Sequence, residues 1–107
     1  MYAVHVSIKV QNELAKKSIV LSLKEWSNYL FKKENGLIIR IFMDKAENQI
    51  EIFHVFESKS SMEKVRRENS NEFWNQIKEM GGQVSRFEGK SEVEMSKNLK
   101  DYEINFK

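Results

Sequence analysis

The chain has 107 residues, which predicts a single domain over 1–107 with a modest hydrophobic core. Its formal net charge of +2 is too small to indicate a nucleic acid or an anionic membrane as partner. The absence of cysteine excludes disulfides and cysteine-based catalysis, and no apolar run approaches the ~20 residues that cross a bilayer. The first residues lack the pattern of a signal peptide, so we expect a cytoplasmic protein.

The first half of the chain predicts three strands and one helix. Alternating apolar residues predict a strand over 2–10, and helical spacing of apolar residues predicts a helix over about 13–34. Gly36 ends this helix, because glycine adopts the left-handed conformation of a C-terminal cap. Strands follow over about 37–43 and 49–57, and the polar residues between them are few enough for a hairpin.

The second half predicts another helix and a weaker strand. Ser60 and Glu63 have the spacing of a capping box, so the helix is expected to begin there. The polar stretch 68–71 predicts a kink or break, and two glycines at 81–82 end the helix. The weaker strand is predicted over 83–95, with a bulge at Gly89.

The predicted order βαββαβ is that of an α+β, ferredoxin-like domain, whose antiparallel sheet carries both helices on one face. The strands over 37–43 and 50–56 are apolar on both faces. Connection rules place both helices on one side, so the open face needs another cover. A second copy is the simplest cover, and we expect a homodimer through that face. The tail, 96–107, fits an extra strand or an arm onto the partner.

Three segments resemble the antibiotic-biosynthesis monooxygenase-like family: Asn35-Gly36-Leu37-Ile38, the run from Ile50 to Met62, and Asn71-Glu72-Phe73-Trp74. In that family strand three ends in an acidic residue or histidine, followed by an aromatic residue and a serine. His54, Phe56 and Ser58 stand in those places. The resemblance covers roughly residues 2–88 and implies a dimeric α/β barrel.

The resemblance implies a cofactor-independent monooxygenase, because some members oxidise quinols or polycyclic aromatics with O2 and no added cofactor. One branch degrades haem through an asparagine, a tryptophan and a histidine. Ser7, Val65 and Ile77 stand at the matching positions here, so haem degradation is not expected. A non-catalytic ligand-binding or assembly module on the same fold is the alternative, and an isomerase or dehydratase that acts without O2 is a third possibility.

His54 and Arg40 are the candidate catalytic residues. A neutral imidazole can take a proton from a phenol, and a guanidinium can hold the resulting oxyanion. Each residue also has a structural interpretation. His54 fits a core histidine that hydrogen-bonds to a neighbour or to the partner subunit. Arg40 fits an ion pair with Glu51 or Glu57 on the adjacent strand, or with a residue of the partner subunit.

The other predicted site residues bind the substrate, a small aromatic ligand. Ser7 is a second candidate for stabilising an anion, and the walls are aromatic: Trp26, Phe42, Phe56 and Trp74. Aromatic residues at helical spacing are also explained as core.

Metal and nucleic-acid sites are not expected. His5 and Ser7 lie on the less apolar face of the first strand, where they can approach His54 on the neighbouring strand. Two histidines alone make a poor metal site. The basic residues at 64–67 have acidic neighbours, which favours a solvated helix face over binding to nucleic acid.

Overall fold

The computed structural model describes residues 1–31, 36–68 and 71–92. Its elements are β1 (Tyr2–Lys9), α1 (Glu13–Phe31), β2 (Leu37–Ala46), β3 (Gln49–Phe56), α2 (Lys59–Glu68), α3 (Asn71–Glu79) and β4 (Gln83–Lys90). The strands form one antiparallel sheet in the order β2-β3-β1-β4. The ferredoxin-like fold is therefore confirmed, with the second helix divided into α2 and α3 around the predicted break.

The hydrophobic core lies between the helices and one face of the sheet, which we call the helix side. Alternate residues of β1 and β3 supply its floor, because successive side chains of a strand point to opposite faces. The three helices cover this floor with buried apolar side chains: Ile19 and Leu23 from α1, Met62 and Val65 from α2, and Ile77 from α3. No helix of the described chain is long and apolar enough to cross a membrane.

The start of α2 differs from the prediction. The Ser61 backbone N–H donates a hydrogen bond to Ser58 Oγ at 3.1 Å, and the Met62 N–H donates to the Ser58 carbonyl at 3.2 Å. These bonds make Ser58 the N-cap, because such a side chain satisfies a backbone donor that the first turn leaves free. The capping box predicted at Ser60 and Glu63 is therefore wrong.

The strand irregularities also differ from the prediction. Gly89 pairs with Ala3 in an unbroken register, so the bulge predicted at Gly89 is wrong. The register shifts instead between Leu37 and Ile39, and again near the end of β2. The first shift places Leu37 opposite Phe56 on the helix side. Strict alternation along β2 would place Leu37 on the same face as Ile39. Residues 93–95 of the predicted fourth strand, and the tail over 96–107, lie outside the described residues.

The other face of the sheet, which we call the open face, carries both apolar and polar side chains. Its apolar members include Ile41, Met43 and Phe87, which are respectively 47 %, 52 % and 74 % exposed. The polar member at its centre is Glu51, which is only 6 % exposed. The expectation that the central strands are apolar on both faces therefore holds in β2.

Candidate functional site

Five of the seven predicted site residues line one cavity on the helix side, which we call the inner cavity. It has a volume of about 40 Å³, and these five residues are Trp26, Arg40, His54, Phe56 and Trp74. The strands bring Arg40 and His54 together because they are direct partners across β2 and β3. The sixth predicted residue, Phe42, is the next helix-side residue of β2, and its ring contacts the guanidinium of Arg40.

The seventh predicted residue, Ser7, lies away from this cavity. Ser7 and His5 pair with Glu51 and Phe53 of β3, and all four residues point to the open face. His54 pairs with Val4 instead, so its side chain points to the helix side. The expected approach of His5 and Ser7 to His54 does not occur, because their side chains and that of His54 point to opposite faces of the sheet.

Arg40 is buried without a polar partner. Its side chain is 6 % exposed, and none of its three guanidinium nitrogens has a hydrogen-bond partner among the described residues. Its guanidinium carbon lies 4.9 Å from the centre of the Trp26 ring and 5.1 Å from that of Phe42, so its contacts are with aromatic rings. The ion pair with Glu51 or Glu57 that the sequence offered as an alternative does not form, and Glu51 lies on the opposite face of the sheet.

Charge on the inner cavity is positive at neutral pH. Burial lowers the pKa of Arg40 to about 10, so the guanidinium stays protonated. Burial, followed by the positive charges of Arg40 and Arg86, lowers the pKa of His54 to about 3, so the imidazole stays neutral. Its Nε2 atom is buried and also lacks a partner in the described part of the chain. The inner cavity therefore pairs an uncompensated cation with a neutral ring nitrogen.

A second space adjoins the inner cavity, and we call it the outer cleft. It measures about 340 Å³ and is lined by Val6, Arg66, Trp74, Lys78, Val84 and Arg86. Four of these residues, Val6, Arg66, Trp74 and Arg86, also line the inner cavity. The two spaces therefore share a wall between the helices and β4.

Two arginines of the outer cleft share one carboxylate. Arg66 Nη2 lies 2.5 Å from Glu88 Oε2, and Arg86 Nε lies 2.7 Å from the same oxygen. The Tyr2 hydroxyl donates to the other carboxylate oxygen at 3.1 Å. The hydrogen bond from Arg86 is the largest cause that lowers the pKa of Glu88, so the carboxylate is ionised. Among the described residues, the ion pairs of this group leave two arginines with one carboxylate.

Arg86 was not predicted as a site residue, and Arg66 was interpreted as part of a solvated helix face. A signal for Arg86 was present, because it alternates with Val84 and Glu88 and shares their face of β4. Its position at the cavity depends on the pairing of β4 with β1, which places Arg86 opposite Val6. That register is a tertiary property.

No protein-family model matches the sequence, and no curated protein matches it. A dimeric ferredoxin-like protein from an uncultured marine organism matches with a TM-score of 0.72 and 18 % identity, over 91 % of this chain and 100 % of that chain. A Deinococcus radiodurans protein provisionally named an antibiotic biosynthesis monooxygenase matches with a TM-score of 0.71 and 8 % identity, over 92 % and 99 %. The chain has the fold of these two proteins. The resemblance noted in the sequence is confirmed at the level of the fold.

A third solved structure adds an activity to this comparison. It is a variant of SnoaB from Streptomyces nogalater, a cofactor-independent oxygenase. It matches with a TM-score of 0.61 and 8 % identity, over 90 % of this chain and 98 % of that chain. At such identities the likeness shows a shared fold, and the chemistry has to be argued from the residues of this chain.

Proposed function

We propose that this protein is a cofactor-independent monooxygenase that oxidises a phenolic, quinol-like substrate with O2. The observation that carries the proposal is the buried guanidinium of Arg40, which lies across the strands from Nε2 of His54. Among the described residues neither group has a polar partner. A buried charge is costly unless something compensates it, and a phenolate oxygen would compensate this one. The activity of SnoaB, which shares the fold, supports the choice of reaction.

In this proposal Arg40 stabilises the oxyanion of the substrate. An opposite charge within a few ångströms favours the ionised form of an acid, and low polarity around Arg40 strengthens that effect. The aromatic rings of Trp26 and Phe42 hold the guanidinium in place from its faces. Phenolates give up an electron to O2 more readily than phenols, so stabilising the anion promotes the first step of oxidation.

His54 is the proposed acceptor for the phenolic proton. Its low pKa keeps it neutral before a substrate binds, and the neutral form is the one that accepts a proton at Nε2. The same low pKa makes it a weak base at that stage. A phenolate formed next to it would offset the positive charges of Arg40 and Arg86, so the base strength of His54 rises as the anion forms.

The net reaction needs no external reductant. In the keto tautomer of the phenol, the ring carbon next to the oxygen-bearing carbon is a CH2 group. Oxidation of this CH2 group to a carbonyl supplies the four electrons that reduce O2. One oxygen atom enters the ring, and the other leaves as water with the two hydrogens. The inner cavity has room for a hydroxyl group rather than for a ring system. The rings would therefore occupy the outer cleft.

We also propose that the protein is a homodimer through the open face. Ile41, Met43 and Phe87 are exposed there, and a matching solved structure is described as dimeric. These residues lie on the two edge strands of one face, and exposed apolar side chains on a shared face favour an interface. The tail over 96–107, which the sequence suggests as an arm onto the partner subunit, lies outside the described residues.

A non-catalytic ligand-binding module is the second candidate. The small volume of the inner cavity and the low pKa of His54 favour it, because both oppose deprotonation of a large substrate. Dependence on O2 separates the two candidates, and it also separates the first from an isomerase or dehydratase.

Oxygen consumption with a panel of hydroxylated two-ring and three-ring aromatics tests the proposal. We expect uptake of one O2 for each molecule oxidised, with one isotope-labelled oxygen atom in the product by mass spectrometry. Arg40→Met should abolish the activity, and Arg67→Gln, which changes an exposed arginine outside both cavities, should retain it. A panel that binds without consuming O2 would favour the ligand-binding module.

A further inference from the structure

We infer that the ligand of this site carries a carboxylate in addition to its phenolic hydroxyl, and that the carboxylate binds at the outer cleft. The inference rests on the proposed function only for the phenolic group. The observation that carries it is an excess of positive charge around an apolar space that adjoins the inner cavity.

The charges that line the outer cleft do not balance. Three cations lie there, those of Arg66, Lys78 and Arg86. Arg66 and Arg86 share the carboxylate of Glu88, and within the described ranges Lys78 forms no ion pair. The cleft therefore has an excess of positive charge, in addition to the charge of Arg40 in the inner cavity.

The walls between these charges are apolar. Trp74 belongs to both spaces, and Val6 and Val84 complete the surface on the sheet. Because Trp74 lines both spaces, a ligand that extends from one space into the other can place an aromatic ring against it and an anionic oxygen in each. Guanidinium groups also match the planar geometry of a carboxylate.

The two positive groups are not equivalent. Arg40 is buried beyond the reach of solvent and lies next to an uncharged acceptor, His54, which can take a proton from a neutral hydroxyl. Arg66 and Lys78 are exposed to solvent, so they attract a group that is already ionised in water. A carboxylate is ionised at neutral pH and a phenol is not, which assigns the carboxylate to the outer cleft and the hydroxyl to the inner cavity.

Three matched naphthalenes test the inference under argon, where no oxidation takes place. One carries a hydroxyl and a carboxylate on opposite rings, and the other two carry only one of these groups. Affinities are measured by calorimetry on the full chain. We expect the hydroxy acid to bind at least about tenfold more tightly than the naphthol.

Variants assign the difference to the outer cleft. Lys78→Glu should remove most of the preference for the hydroxy acid over the naphthol. Lys64→Glu, which makes the same charge change at an exposed lysine outside both spaces, should leave the preference unchanged. Higher salt should weaken binding of the hydroxy acid more than binding of the naphthol.

Equal affinities for the hydroxy acid and the naphthol would overturn the inference, as would a preference that survives Lys78→Glu together with Arg66→Gln. Because the measurement is made without O2, these outcomes are separate from those for the proposed function. A protein that prefers the hydroxy acid but consumes no O2 would retain this inference and lose the oxygenase activity.

Discussion

The two faces of the sheet bury charge in opposite ways. Arg40 on the helix side and Glu51 on the open face are each 6 % exposed, so both have lost most of their contact with water. Glu51 accepts a hydrogen bond from Ser7 at 3.1 Å, contacts His5 Nε2 at 3.0 Å and lies 3.4 Å from Lys45 Nζ. Arg40 has no such partner among the described residues.

The pKa shifts express the same difference. For Arg40 burial alone acts, and it lowers the pKa toward the neutral form. For Glu51 burial raises the pKa, but hydrogen bonds from Ser7, His5 and Lys45 outweigh it, so the net shift is downward and favours the charged form. The charge of Glu51 is therefore part of the folded structure, whereas in the proposed function the charge of Arg40 serves a ligand.

The largest expected effect is on function at Arg40. Arg40→Met should lower substrate oxidation by about 100-fold or more, because the oxyanion loses its charged partner. The free energy of unfolding should rise or change by no more than about 1 kcal/mol, because an uncompensated buried charge is removed. Oxygen uptake and thermal unfolding measure the two effects. A variant that unfolds much more easily would show that Arg40 has a structural role.

The next largest effect is on the stability of the proposed dimer through the open face. Phe87→Lys should weaken the proposed dimer by at least about tenfold, because it replaces an apolar aromatic side chain of the interface with a charged one. Leu14→Lys is the matched control, since Leu14 on α1 is 77 % exposed and Phe87 is 74 % exposed. Sedimentation over a range of concentrations measures both. Dimers of equal stability would contradict an interface on this face.

A third effect is the pH dependence of folding stability that His54 on the helix side causes. The unfolded state protonates His54 below its ordinary pKa of 6.5, and the folded state resists protonation until about pH 3. The unfolded state therefore binds more protons in this window, and stability is lost as the pH falls, by about 1 kcal/mol per unit. His54→Gln should flatten the decline between the two values in urea unfolding experiments. An unchanged decline would contradict a buried neutral imidazole.

The smallest effect is on the open face at Glu51. Glu51→Gln should cost roughly 1–2 kcal/mol of stability, since an acceptor of three hydrogen bonds becomes an amide that matches them poorly. Affinity for the naphthol and hydroxy acid probes should not change. If this variant lowered affinity as Arg40→Met does, the distinction between the two faces would fail.

Much of the fold was predictable because it depends on local patterns. The alternation in β1 and the helical spacing in α1 gave the correct elements, and the polar stretch at 68–71 separated α2 from α3. One error, at the start of α2, occurred where two residues compete for one role. Ser58 and Ser60 have similar capping chemistry, and only the first hydrogen bond shows which of them is the N-cap.

The site was predictable as far as strand faces can be assigned from alternation. His54 and Phe56 share a face, as alternation along the third strand indicates, and the structure adds Arg40 from β2. Ser7 was joined to them although it lies on the opposite face. Ser7 lies on the less apolar face of β1, whereas His54 shares the core face of β3, so alternation within each strand already separates the two residues. Whether Arg40 has a partner also depends on tertiary contacts, and it is this property that distinguishes the site.

The most direct test is the protonation state of a bound phenol, measured by its absorbance spectrum under argon. At a pH below the pKa of the free phenol, the account predicts the spectrum of the phenolate on the native protein. On Arg40→Met it predicts the spectrum of the neutral phenol or loss of binding. A neutral phenol bound to the native protein, with equal affinity for Arg40→Met, would contradict the claim that Arg40 is kept for an oxyanion.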